Sequence, residues 1–153
     1  MKIRHLYISP GHNFFGHHGQ PPDKHPIIEV SEIQCVASRG IRGDRFFDYK
    51  QNYKGQITFF SAEVYDDICR TLGIHNRNPS VLRRNVLTGG EDLNLLIGEE
   101  FEVQGIRFRG AEECSPCYWM NAALAPGAEI LMKGRGGLRA TILTDGCLRL
   151  ESK

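Results

Sequence analysis

Cys114 and Cys117 stand with two residues between them, in Cys-Ser-Pro-Cys, and thiols are the most reactive side chains this chain offers. Three chemistries use such a pair. A redox motif would sit at a helix N-terminus beside a thioredoxin-like βαβ pattern, which the sequence lacks. A zinc half-site would need a second pair, and only the isolated Cys35 and Cys147 remain to supply it. The third uses Cys117 alone. It follows Pro116 and opens the stretch CYWMNAAL, which predicts a helix from about Cys117 to Leu124. A thiol at a helix N-terminus has a lowered pKa, and the thiolate is the form that ligates a soft metal or carries transferable sulfur. Tyr118, Trp119 and Met120 would either wall such a site or pack in the core. Of the remaining three, Cys35 and Cys69 read as small buried hydrophobes.

Three clusters of cations could bind an anion. Arg83, Arg84 and Asn85 follow one another with no acid beside them. In Lys133-Gly134-Arg135-Gly136-Gly137-Leu138-Arg139, cations interleave with glycines, a pattern that can aim backbone N–H groups at an anion while arginines add forked hydrogen bonds. Gly40-Ile41-Arg42-Gly43-Asp44-Arg45 is the third. Neither the run 80–85 nor the run 133–139 matches the Walker or dinucleotide fingerprint. Each cluster alone reads better as a solvated turn; three in one small chain favour a shared anion pocket. His12, His17, His18 and His25 crowd one loop with Asp23 as the carboxylate nearby, a weak metal pattern and a better substrate-facing or mobile segment.

These residues need elements to hold them. Lys2–Ser9, Ile27–Ala37, Gln56–Phe60 and Asn85–Leu87 read as strands. Glu100–Gln104 and Ile106–Arg109 form a hairpin about Gly105, and Leu138–Leu143 with Cys147–Leu150 a second one about Asp145-Gly146, a favoured type I′ pair. Ser61 is a good N-cap for a helix through about Leu72, with Val64, Ile68 and Leu72 on one stripe and Gly73 as its stop. About eight short strands with few helices, and 17 glycines for the turns, predict a mainly β chain, closed or sandwiched, over a doubly wound α/β sheet.

The 153 residues suit one domain. No apolar run is long enough to span a membrane and no signal peptide opens the chain, so a cytoplasmic, membrane-free protein is expected. Five cysteines, an odd number, argue for reduced thiols rather than a disulfide framework. Lys+Arg and Asp+Glu number 19 and 18, too even a balance for counterion-driven nucleic-acid binding. Yet 13 of the cations are arginine, the planar fork suited to phosphate and carboxylate. A small anionic ligand is favoured over a polyanion.

GIRGDRF (40–46), RRNVLTGGEDLNLLIGEEF (83–101), SPCYWMN (115–121) and GRGGLRATILTDG (134–146) together resemble the MOSC domain, the C-terminal domain of molybdenum cofactor sulfurases, and SPGHNFFGHHG resembles its short single-domain bacterial members. The resemblance implies one MOSC domain over 1–153, built around a closed β-barrel of the pyruvate-kinase-barrel type. It implies that Cys117, not Cys114, is the key cysteine, serving as molybdenum ligand and catalytic residue beside a pterin dithiolene (molybdopterin). Arg45, Arg83, Arg84, Asn85 and Arg139 are then the cofactor-binding set, with cations for the phosphate. Two activities follow: reduction of N-hydroxylated substrates by the molybdenum cofactor, or carriage of sulfur as a Cys117 persulfide to a molybdenum cofactor or metal–sulfur cluster. A non-catalytic cofactor chaperone is a third. The resemblance also implies a partner, either an electron-donor protein or a cysteine desulfurase.

Overall fold

The five residues Ile57–Ser61 (β5) are the clearest statement of how the chain is layered. In the computed structural model, which describes residues 1–13, 19–21 and 23–151, four of the five are buried. Because successive side chains point to opposite faces, Ile57 and Phe59 enter one hydrophobic cluster while Phe60 enters another. A strand buried on both sides has to lie inside a sheet that is covered on both sides, and β5 does.

That sheet has seven strands. Its members are β1 (Lys2–Ile8), β2 (Ile28–Val30), β5, β6 (Val86–Gly89), β7 (Glu100–Val103), β8 (Ile106–Glu113) and β9 (Leu138–Ile142), in the order β2-β1-β6-β5-β9-β8-β7. Only the β5–β6 pair is parallel. Its crossover carries helix α1 (Ala62–Leu72) and a 3-10 turn, Pro79–Leu82. A second sheet, β10-β3-β4, pairs Gly146–Arg149 with Glu32–Val36 and Gly40–Ile41. Ile33, Cys35, Ile41 and Leu148 from this small sheet join Ile3, Leu6, Phe59, Phe108 and Leu138 in one cluster. On the opposite face Phe60 and Leu87 pack with Tyr65 and Ile68 of α1. Trp119 and Met120 of α2 (Trp119–Ala123) and Met132 of α3 (Ala128–Met132) complete that cluster.

Local signals were accurate where local contacts decide. The Ser61 hydroxyl accepts from Val64 N–H at 3.2 Å. Gly73 ends α1 with φ 66°, and Ile74 N–H returns to the Cys69 carbonyl at 2.8 Å, the left-handed stop that favours glycine. The buried stripe is Tyr65 and Ile68, with Val64 and Leu72 at its margins. Cys35 is fully buried as expected, whereas Cys69 is only half-buried.

Three expectations are corrected. The large sheet is open: among the described residues β2 and β7 are its edges and no ladder joins them, so no closed barrel forms. The cause lies at Ser31, which breaks the predicted Ile27–Ala37 strand into β2 and β3, and the chain leaves for the second sheet. The terminal hairpin is also absent. β10 pairs with β3, and Asp145 Oδ1 accepts Ala37 N–H at 2.7 Å, so Asp145-Gly146 is a crossing between sheets. Gly146 is needed because a Cβ there would press on the Ile106 side chain. Finally, the helix after Pro116 is shorter than predicted, beginning at Trp119. His17 and His18 lie outside the described residues.

Candidate functional site

The adjacent arginines at 83 and 84 are sent in opposite directions by the backbone. The 3-10 turn Pro79–Leu82 ends with Arg83 at φ 58°, a left-handed conformation costly for a side-chain-bearing residue. The Arg83 guanidinium is buried. It donates to Ser9 Oγ and the Gly11 carbonyl, both at 2.6 Å, and to the His25 carbonyl at 3.2 Å. It thereby ties both ends of the histidine-bearing loop to the sheet. Burial, reinforced by neighbouring Arg45, pulls its pKa down to about 10, so it remains cationic at neutral pH.

Arg84 turns the other way. Its Nε and Nη2 donate to the Gly136 carbonyl at 3.2 and 3.1 Å, and Nη1 to the Leu82 carbonyl at 3.0 Å. Gly136 in turn lies so close to the Cys114 carbonyl that any Cβ would collide with it. Cys114 N–H donates to the Gly137 carbonyl at 2.8 Å, and Gly136 N–H to Glu113 Oε2 at 3.1 Å. The glycine run therefore does not cradle an anion, as its sequence suggested. It is a clamp, fixed by Arg84, on the segment that carries both cysteines.

Arg45 and Arg139 complete the cationic set. Arg45 Nη1 donates to Asp44 at 3.2 Å and Nη2 to the Arg83 carbonyl at 3.0 Å, with the guanidinium 4.7 Å from the Phe46 ring centroid. Asp44 is buried, and its carboxylate also accepts from the N–H groups of Ser9 and Phe46. Arg139, on β9 opposite Thr58, makes one 3.6 Å ion pair, with Glu112, and keeps 30% of its side chain exposed. It is the least committed of the four.

All four arginines, together with Cys114 and Cys117, line one cavity of about 290 Å³. Phe46, Tyr53, Leu82 and Met120 form its apolar wall, and His12, Asn13 and Thr58 add polar groups; among the described residues no Asp or Glu lines it. The predicted set thus converges, except for Asn85, which does not line the cavity. The Asn85 side chain is fully buried, accepting from Thr58 N–H and Oγ1 at 3.0 and 3.1 Å and donating to the Tyr7 carbonyl at 3.2 Å. It splices β1, β5 and β6 beneath the site.

Cys117 is exposed and Cys114 buried. The helix-dipole argument for Cys117 loses its basis, because α2 has five residues and starts two positions later, with Tyr118 at its N-cap. Of the three following residues, Trp119 is core, Met120 is both core and cavity wall, and the Tyr118 hydroxyl accepts Gly19 N–H at 2.9 Å. Of the other cations in the clusters, Arg135 pairs with Asp67 at 2.8 Å and Arg42 lies 5.4 Å from the Phe47 ring centroid, neither in the cavity wall. His12 stacks edge-on against Phe46 at 4.9 Å. Burial and Arg45 lower its pKa, so its imidazole is neutral at physiological pH. Tyr53 and Thr58 carry no sequence signal, and Phe46 only its place at the end of GIRGDRF; they reach the site through pairing and loop geometry. Among the described residues, which leave out His17 and His18, no three His, Cys, Asp or Glu side chains converge to hold a metal ion.

Solved structures share the fold. YuaD from Bacillus subtilis superposes with a TM-score of 0.72 at 19% identity, covering 97% of this chain and 90% of that one. YiiM from Escherichia coli gives 0.60 at 17% identity, covering 99% of this chain and 71% of that one. No curated protein sequence matches significantly. The MOSC domain family model matches residues 17–150, which include β2 to β10 and, apart from His12 and Asn13, the whole cavity wall, and the chain belongs to the MOSC domain family.

Proposed function

We propose that this protein binds the molybdenum cofactor, with Cys117 as the metal ligand, and so loaded removes oxygen from N-hydroxylated substrates using electrons from an external donor protein. MOSC domains are linked to that cofactor. The observation that carries the reading is one cavity that joins an exposed thiol to four arginines without a carboxylate in its wall. The donor set fits the group. A thiolate suits a soft metal, arginines suit a terminal phosphate, and Phe46 and Tyr53 offer flat apolar surface to a planar ring. At about 290 Å³ the space is that of a small-molecule site. When bound, the group supplies a redox-active metal that accepts an oxygen atom.

The chain's own residues bind, orient and move protons. Arg139, with one long ion pair as its commitment, grips the anion, and Arg45, pinned by Asp44, adds charge to the same wall. Arg83 and Arg84 are positioning residues: one holds the loop, the other the cysteine segment. Releasing an oxygen atom as water consumes two protons and two electrons, and the His12 imidazole stands in the cavity wall where it can relay protons.

The test is molybdenum per chain by elemental mass spectrometry after reconstitution with isolated cofactor, for wild type and Cys117→Ser. Near-stoichiometric metal in the wild type, lost in the variant, is expected. Metal retained equally in both would make the protein a cofactor chaperone without a cysteine ligand, and none in either would overturn the proposal. A persulfide carrier is the second reading, favoured by Cys114 standing beside Cys117 in the same wall. It requires cyanide-releasable sulfur on Cys117 and no bound molybdenum.

A further inference from the structure

We infer that Cys114 and Cys117 form a reversible peroxide-driven disulfide that takes Cys117 out of service. The regulatory consequence rests on Cys117 being the ligand proposed above; the covalent step does not. Three observations carry it. Both cysteines line the same small cavity, so their side chains face a common space. Their accessibility is divided: Cys117 is exposed to a soluble oxidant, while Cys114 is 3% exposed. The segment between them is held at both ends, by Cys114 N–H on the Gly137 carbonyl at 2.8 Å and by the Cys117 carbonyl accepting Met120 N–H at 3.0 Å. Ser115 and Pro116 lie in neither helix nor strand, so closing the bond disrupts no regular element.

The step uses a hydroperoxide as oxidant. The Cys117 thiolate attacks one peroxide oxygen, the O–O bond breaks, and the departing hydroxide takes up the proton the thiol released, giving water and a sulfenic acid. The Cys114 sulfur then attacks the Cys117 sulfur. Hydroxide leaves with the Cys114 proton as a second water, and the S–S bond forms. Two thiols lose two electrons and one peroxide gains them. The same division of roles follows from burial, since Cys114 meets no bulk oxidant until Cys117 presents one.

The remaining cysteines provide internal controls. In the β3–β10 ladder Cys35 stands opposite Gly146 and Cys147 opposite Gln34, so alternation sends the two side chains to opposite faces. Cys69 sits on α1, in neither of the paired segments.

The experiment treats the intact, cofactor-free chain with hydrogen peroxide, alkylates free thiols and digests with trypsin. Both cysteines fall in one peptide, 110–133, because no Lys or Arg interrupts it. The expected product is that peptide lighter by two hydrogens, unalkylated, and restored by dithiothreitol. Cys114→Ser should instead trap a dimedone-reactive sulfenic acid on Cys117 that proceeds to sulfinic acid, with Cys114→Ala as a second variant against a folding artefact. Cys117→Ser should leave Cys114 reduced, its oxidation slowed by about tenfold or more. Wild-type Cys117 over-oxidising as fast as in Cys114→Ser, or linking between chains, would overturn the inference. Because the readout needs no molybdenum, its failure is separable from failure of the cofactor proposal.

Discussion

At the scale of single residues, the site divides into groups that hold the protein and groups left free to hold a ligand. Asn85 and Arg139 are the extremes. Removing the Asn85 side chain leaves Thr58 N–H and the Tyr7 carbonyl buried without their partner, and each such orphan costs about 1–3 kcal/mol. Asn85→Ala should therefore lower unfolding free energy by about 2–4 kcal/mol in urea titration. Arg139→Ala removes one partly exposed 3.6 Å ion pair, a contact worth about 0–1 kcal/mol. Its melting temperature should barely move, while cofactor affinity falls about ten- to a hundredfold, the loss of one charge-assisted contact. Equal destabilisation by the two substitutions, or unchanged affinity in Arg139→Ala, would contradict this division. Reading both as cation or amide donors near a motif was the natural sequence inference. Only the direction of each side chain separates them, and direction is set by strand pairing.

At the scale of elements, the legible parts were those closed by near neighbours. The Ser61 cap, the Gly73 stop and the Gln104-Gly105 turn, both residues with φ above zero, each involve contacts within a few positions. Asp145-Gly146 carries the same signature as a type I′ turn, but its partners are Ala37 and Ile106, more than thirty positions away. Nothing local distinguishes a glycine that turns from a glycine that lets two elements touch. Gly136 is the consequential case. Read as an anion cradle, it is the contact surface of a clamp running Arg84–Gly136–Cys114. Gly136→Ala must push the Cys114 carbonyl aside, which should cost about 1–3 kcal/mol as overpacking does. It should also change the alkylation rate of Cys117 with iodoacetamide while α1 and its cap stay intact by circular dichroism. An unchanged Cys117 rate would mean the clamp does not govern the cysteine's position.

At the scale of the whole molecule, charge is concentrated rather than spread. The chain carries a formal charge of only +1, yet four arginines face one cavity whose wall holds no acid. Asp44 and Glu112 stand behind Arg45 and Arg139 as their ion-pair partners. Cations gathered in one cleft focus potential there. No helix among the described residues is long and apolar enough to cross a membrane, and the sheet edges carry charge, Glu100 pairing with Arg107 and Arg109 across β7 and β8. The focusing can be measured with Cys117 as the reporter. Iodoacetate is an anion and iodoacetamide is neutral, so the ratio of their alkylation rates at Cys117, divided by the same ratio for glutathione, isolates the local potential. That quotient should be about tenfold at low salt. It should shrink toward unity near 1 M salt, where screening acts over about 3 Å, and drop in Arg139→Ala at low salt, the difference between the two proteins vanishing as salt rises. A quotient near one at low salt would mean that Asp44 and Glu112 neutralise the arginines they pair with. The cavity would then have no electrostatic grip on a phosphate, and the cationic half of the cofactor reading would fall.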